Sequence, residues 1–206
     1  LTGIGSRFSS LLLQLAEQSQ LLALFFAMCI AIILGMGMPT TAAYAVAASV
    51  VAPGLIQIGI QPLVAHFFVF YFAVISAITP PVALAAYAGA GIAGSNPMRT
   101  SAESFKVGLA AFIVPFMFFY SPAILMEGPW LTIGQNLGTA IVGVFLLSAA
   151  ATGYFKAPLP LPLRVILLVG AVMMISGGLV TDLTGLGLGA AVWLWQMRGG
   201  DAPRAA

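Results

Sequence analysis

The residues placed to do chemistry in this chain are glycines, prolines and hydroxyls, gathered in two short clusters. The first is Gly35-Met36-Gly37-Met38-Pro39-Thr40-Thr41 and the second is Ser76-Ala77-Ile78-Thr79-Pro80-Pro81. Each interrupts an apolar run, and proline both removes an amide donor and pushes the residue before it out of helical geometry. At the second cluster the carbonyls of residues 76–79 should therefore lose their helical partners. Carbonyl oxygens and Ser or Thr hydroxyls are hard ligands, suited to a small hard cation such as sodium. The helix that resumes after each break points its positive N-terminal end at the same region, which suits an anion. Glycine and proline also merely kink membrane helices. Two breaks of complementary kind, both rich in hydroxyls, favour the site over the kink.

The elements that must hold these clusters are set by the composition. Of the 206 residues, 61% are hydrophobic and only 6% charged, with seven basic and five acidic side chains and a mean hydropathy of +1.10. A soluble domain carries about 25% charged residues, so this is an integral membrane protein. A net charge of +2 that is scattered along the chain excludes nucleic acid as a partner. Cys29 is the single cysteine, which excludes a disulfide framework and a cysteine metal site. Nothing in residues 18–98 carries a formal charge. This long stretch, broken only by Gly, Pro, Ser, Thr and Gln, suggests hairpins and interrupted helices more than plain spans.

Around the first cluster, apolar segments over residues 21–34 and 42–52 are each too short to cross a core of about 30 Å at about 1.5 Å per residue. Two short helices meeting at a Gly/Pro tip describe a re-entrant hairpin, here over residues 20–60. The second cluster divides a span over residues 63–95 into two half-helices with an unwound middle. Residues 1–19, with an arm helix over 6–18, form an interfacial element. Downstream, spans are expected over residues 105–126 and 137–155, two membrane helices within a segment 97–157. Two more follow over 163–180 and 183–197, within a segment 158–206 that starts with a connector carrying Pro158, Pro160 and Pro162 and ends in a cytoplasmic tail. Thr100-Ser101-Ala102-Glu103 fits a capping box. Arg99, Lys106, Lys156, Arg164, Arg198 and Arg204 fall in alternate turns, opposite the turns at Glu127 and Asp182, so the basic turns are placed in the cytoplasm. The chain opens at Leu1 and reads as a fragment of something longer.

Leu34-Gly-Met-Gly-Met-Pro-Thr-Thr-Ala-Ala-Tyr44 resembles the hairpin signature of the large membrane subunits of TRAP (tripartite ATP-independent periplasmic) transporters. The segments from Val64 to Phe72, from Ser76 to Tyr87 and from Ala90 to Gly94 strengthen the likeness. It is similar to the TAXI-associated branch in particular, whose permeases often fuse the small and large subunits. The dicarboxylate and sialic-acid branch usually has an acidic residue where this chain has Pro39. The resemblance implies an all-α elevator-type secondary transporter in a bacterial or archaeal cytoplasmic (inner) membrane. Each of its inverted repeats has one hairpin and one broken helix, and this chain would hold the second. It further implies a periplasmic substrate-binding protein and a small membrane subunit as partners, and an organic-anion substrate, a carboxylate. Sodium is implied as the coupling ion, with no cofactor. By motif, Gly35, Gly37, Thr40, Ser76 and Thr79 would serve the cation, and Thr40, Thr41, Thr79 and Pro81 the substrate.

His66, the single histidine, is read as helix packing with a hydrogen-bonded ring. Gln57 and Gln61 are read as interfacial polarity, and Phe67, Phe68, Phe70, Tyr71 and Phe72 as an aromatic belt. Trp130 is read as an interfacial anchor, and Gly177, Gly178, Gly185 and Gly189 as close helix packing. There is no nucleophile with a base, no acid pair and no metal-ligand set, so an enzyme is not expected. Two rivals remain: an anion symporter that works without a binding protein, and a non-transporting scaffold subunit, which would have no need for two hydroxyl-lined breaks.

Overall fold

A computed structural model describes residues 3–175 and 178–198; Gly177, Asp201 and Arg204 lie outside them. The regular elements among the described residues are all helices, besides one isolated bridge between Tyr154 and Pro158. The chain falls into two compact units, Leu1–Gly108 and Leu109–Ala206. Among the described residues three helical segments are long and apolar enough to cross a membrane: Thr40–Gln57, Pro97–Tyr120 and Trp130–Thr152.

The first unit begins with the amphipathic α1 (Ile4–Gln18). Extended Ser19 ends it and caps the next helix, its Oγ accepting from the Leu22 amide at 3.4 Å. α2 (Gln20–Gly35) is apolar on nearly all sides and is followed, after a turn over residues 36–39, by α3 (Thr40–Gln57). α2 and α3 pack against each other, and α1 packs on both. The second arm was expected to stop at Ala52, but α3 runs through Pro53 to Gln57. Its 18 residues give a length of about 27 Å, so the expectation that both arms are too short to span fails for α3. The reason is tertiary. At Gly54 the helix takes α1 so closely that a Cβ would lie 2.7 Å from Leu12 Cδ1 and 3.2 Å from Ser9 Cα, and this packing carries α3 past the proline.

α4 (Pro62–Ile75) passes into a 3-10 turn, Ser76–Ile78, and the chain resumes as α5 (Leu84–Ala93). Proline at the start of α4 sits where a missing amide costs nothing. Helical periodicity divides the expected aromatic belt between two faces. Phe68 and Phe72 are buried with their rings 4.9 Å apart, while Phe67 and Phe70 face outward. α6 (Pro97–Gly108) follows. Its cap is not the expected Thr100–Glu103 box. Asn96 Oδ1 accepts from the amides of Met98 and Arg99 at 3.0 and 3.1 Å, with Pro97 at the first helical position, an arrangement favoured on both counts. Thr100 donates its hydroxyl back to the Asn96 carbonyl, and Glu103 pairs with Lys106 at 2.8 Å.

The single span expected over 105–126 is shifted to the helical stretch Pro97–Tyr120, long and apolar enough to cross a membrane, and its part in the second unit is a succession of short pieces. A 3-10 turn (Leu109–Phe112), α7 (Val114–Tyr120) and another 3-10 turn (Pro122–Leu125) follow one another. Pro115 and Pro122 impose these divisions. α8 (Trp130–Thr152) begins earlier than expected, with Trp130 exposed at its first turn. The proline connector is shorter than expected, because Pro162 already lies in the first turn of α9 (Leu161–Ile175), and α10 (Leu179–Arg198) closes the unit. Leu146, Leu147, Leu167, Ala171, Met174 and Val192 form its core. Small residues set the helix approach: a Cβ at Gly185 would meet the Gly170 carbonyl oxygen at 2.6 Å, and one at Gly189 would meet Leu146 at 3.0 Å. Gly178 meets only Thr181.

Asn96→Ala should lower the stability of the protein in detergent by about 1 kcal/mol, the worth of a lost N-cap. Glu103→Gln, which breaks only an exposed ion pair, should leave the thermal midpoint unmoved. The reverse order would restore the cap to the Thr100–Glu103 box.

Candidate functional site

The two sequence clusters meet. A methyl group at Gly35 would lie 2.6 Å from Ser76 Oγ, 3.1 Å from Ser76 Cβ and 3.4 Å from Ala73 Cα, and one at Gly37 would lie 3.3 Å from Val82 Cγ1. The hairpin tip is therefore seated directly on the unwound crossing, and side chains at positions 35 and 37 would lift it off. Gly37 also has φ 77°, a left-handed conformation that glycine adopts without steric cost.

The unwinding at the crossing is real and local. Ser76 to Ile78 tighten into 3-10 geometry, Thr79 is extended (φ −97°, ψ 122°), and the Pro80–Pro81 peptide is cis. The expectation for the carbonyls is met in part. The Ser76 carbonyl accepts from the Thr79 amide at 3.1 Å, while those of Ala77, Ile78 and Thr79 receive no backbone hydrogen bond among the described residues. The hydroxyls have a consistent polarity. Ser76 Oγ donates to the Ala73 carbonyl at 2.7 Å and Thr79 Oγ1 to the Ile75 carbonyl at 2.9 Å. A hydroxyl whose proton is already given to a helix carbonyl offers only its lone pairs to a ligand, which is what a cation requires. Both residues are buried, Ser76 almost wholly so.

Two helix N-termini adjoin this seam. α3 starts after Pro39 and α5 after Ala83, and neither has a side-chain cap. The first amides of each helix point outward along the axis without an intrahelical partner, so each end presents partial positive charge. Thr40 and Thr41 stand at the start of α3, exposed, and their hydroxyls form no hydrogen bond among the described residues. Pro81 is exposed, and its carbonyl accepts a hydrogen bond from the Tyr87 hydroxyl. Of the residues singled out in the sequence, then, direct contact joins Gly35 to Ser76. Thr79 follows Ser76 on the crossing, and Thr40, Thr41 and Pro81 are exposed, with no contact that joins them to one another or to the seam among the described residues.

Three participants escaped sequence reasoning as contributors to this site. Val82 is the seat of Gly37, and Tyr87 braces Pro81. Tyr44 on α3 shares a 2.9 Å hydrogen bond with Nδ1 of His66 on α4 and sets its ring edge-on to Phe70 at 5.5 Å. The reading of His66 as a packed, hydrogen-bonded ring is thus met. Both tyrosines fall within the quoted motif segments, but spacing alone does not pair residues across helices.

The family model described as the DctM component of tripartite ATP-independent periplasmic transporters matches residues 1–128. The chain belongs to the DctM family. No curated protein and no solved structure matches it. As a DctM component the chain is a non-enzymatic permease, a multi-pass protein of the prokaryotic inner membrane and the large membrane subunit of a TRAP transporter. A tripartite transporter implies a periplasmic binding protein and a small membrane subunit as partners in general. The match spans the whole first unit, in which both breaks lie, and stops just before α8.

Gly35→Ala tests the seat. A helix interior gains up to about 1 kcal/mol from Gly→Ala, but overpacking a closed contact costs about 1–3 kcal/mol, so the net effect should be destabilising. Adding Ser76→Gly removes both of the tighter contacts and should recover most of the thermal midpoint. Failure of that rescue would show that Gly35 does not bear on Ser76.

Proposed function

We propose that this DctM component is the cation-coupled half of a TRAP permease of the TAXI-associated, fused type, importing an organic anion by an elevator movement. The observation that carries the proposal is the seating of the Gly35–Gly37 tip on the Ser76–Val82 crossing, beside two uncapped helix N-termini. In this reading α2 and α3 form a re-entrant hairpin opening to the periplasm, and α4 and α5 are the halves of one broken crossing helix. Pro39, in the place of an acidic residue, and the motif segments that follow it support the TAXI assignment.

Sodium enters as a transported ion. The free carbonyls of Ala77, Ile78 and Thr79 and the acceptor lone pairs of Thr79 Oγ1 form a hard, uncharged donor set of the kind small cations take at unwound membrane helices. Ser76 Oγ lies against Gly35, so it holds the tip down as well as offering an oxygen. The substrate carboxylate, delivered by the binding protein, is received by the amides at the starts of α3 and α5, with Thr40, Thr41 and Pro81 at the entrance. A negative group at a helix N-terminus gains both hydrogen bonds and dipole attraction. Because tip and crossing touch, a cation that orders the crossing also orders the tip, which is how sodium favours the substrate-binding form. Couplings of this sort amount to about 1–3 kcal/mol.

Uptake of a labelled carboxylate should be measured in proteoliposomes holding the full-length permease with its small subunit and binding protein. An inward sodium gradient should drive accumulation. Thr79→Ala, which deletes one charged-group contact, should weaken apparent sodium affinity about tenfold or more, and Thr79→Ser should restore it. Uptake indifferent to sodium would overturn the coupling, and wild-type sodium dependence in Thr79→Ala would overturn the site. Uptake that persists without the binding protein would favour the simpler anion symporter.

A further inference from the structure

The second unit carries an apolar groove that the proposed transport chemistry does not use. It is lined by Val142 and Phe145 on α8, Leu186, Ala190 and Trp193 on α10, and Phe155 beyond the end of α8. Its volume of about 330 Å3 lies at the lower end of the range for small-ligand sites. One end is marked by the rings of Phe155 and Trp193, and that end abuts the connector between α8 and α9.

The connector is clamped to α10. Buried Gln196 accepts the Lys156 amide on Oε1 at 3.1 Å and donates Nε2 to the Ala157 carbonyl at 3.0 Å. Arg164 donates Nε to the Leu159 carbonyl at 3.0 Å, and its guanidinium lies over Gly153, in the space that a Cβ there would take. The connector thus brings Lys156 and Arg164 to the end of α10 that carries Arg198, the end at which the groove's Phe155 and Trp193 lie. Lys156 and Arg198 are exposed, and none of the three has an ion-pair partner among the described residues. The described acids of this unit, Glu127 ahead of α8 and Asp182 in the first turn of α10, lie at the opposite ends of those helices.

We propose that this groove binds an anionic phospholipid, with an acyl chain along Phe145, Leu186 and Ala190 and the phosphate held by Lys156, Arg164 and Arg198. The site is amphipathic in the same sense as the ligand: apolar along its length, aromatic at the interface depth and cationic at the mouth. A packing helix would need an apolar partner surface throughout and would gain nothing from unpaired cations. Basic turns face the cytoplasm, where anionic lipids attract such residues by about 1 kcal/mol each, or about fivefold in affinity per charge.

The test is native mass spectrometry of the purified full-length permease after exchange into vesicles of phosphatidylglycerol or of phosphatidylcholine. Phosphatidylglycerol adducts should persist at collision energies that strip phosphatidylcholine. Lys156→Gln and Arg198→Gln should each lower their occupancy about fivefold, and Ala190→Phe should abolish it by filling the groove. Equal retention of both lipids, or retention of phosphatidylglycerol in the charge variants, would overturn the proposal. So would disulfide cross-linking between copies of Ala190→Cys, which would show the groove covered by a second copy. If Ala190→Phe elutes as an aggregate, the two charge variants decide alone, because their side chains are exposed and carry no packing.

Discussion

Backbone that leaves helical hydrogen bonding inside a membrane protein has no water to turn to, and this constraint governs the first unit. The crossing at residues 76–83 can unwind only because its polar atoms are accounted for one at a time. Thr79 closes back on Ser76 and on Ile75, Ser76 on Ala73, and Tyr87 on Pro81. What is left over, the carbonyls of three successive residues and two uncapped helix starts, is the polar surface available to a ligand. The hairpin tip comes down on that same place with glycine at both contact points. A side chain at either point would hold the seam apart.

The sequence was most legible where chemistry forbids a helix. Pro39, Pro80 and Pro81 remove donors outright, so the position of both breaks, and the departure of Thr79 from helical geometry, could be read in advance. It was least legible where packing overrides a local signal. The second arm was expected over residues 42–52, yet with α1 laid against Gly54 α3 runs on through Pro53 to Gln57. Thr100–Glu103 has the letters of a capping box, but Asn96-Pro97 starts the helix a turn earlier and caps the amides of Met98 and Arg99. The aromatic run at residues 67–72 read as one belt because consecutive letters hide the 100° turn between neighbours on a helix. For the site, the residue types were legible and their meeting was not. The Gly35–Ser76 and Tyr44–His66 contacts join residues 41 and 22 positions apart, and a single sequence carries no signal for such pairs.

The second unit answers to different physics. Its helices approach through glycines at 170, 185 and 189 with a core of leucine, alanine, methionine and valine. Gln196 is buried to hold a short connector by its backbone, and a buried amide that satisfies two backbone groups is costly to replace.

The bracing of the crossing has a mechanical consequence. Thr79 is tied through its hydroxyl to α4, and Pro81 is tied through its carbonyl to α5. Each half-helix therefore carries part of the unwound chain with it. Between the two tied residues stands Pro80, whose ring fixes φ, so the unwound chain keeps little freedom of its own.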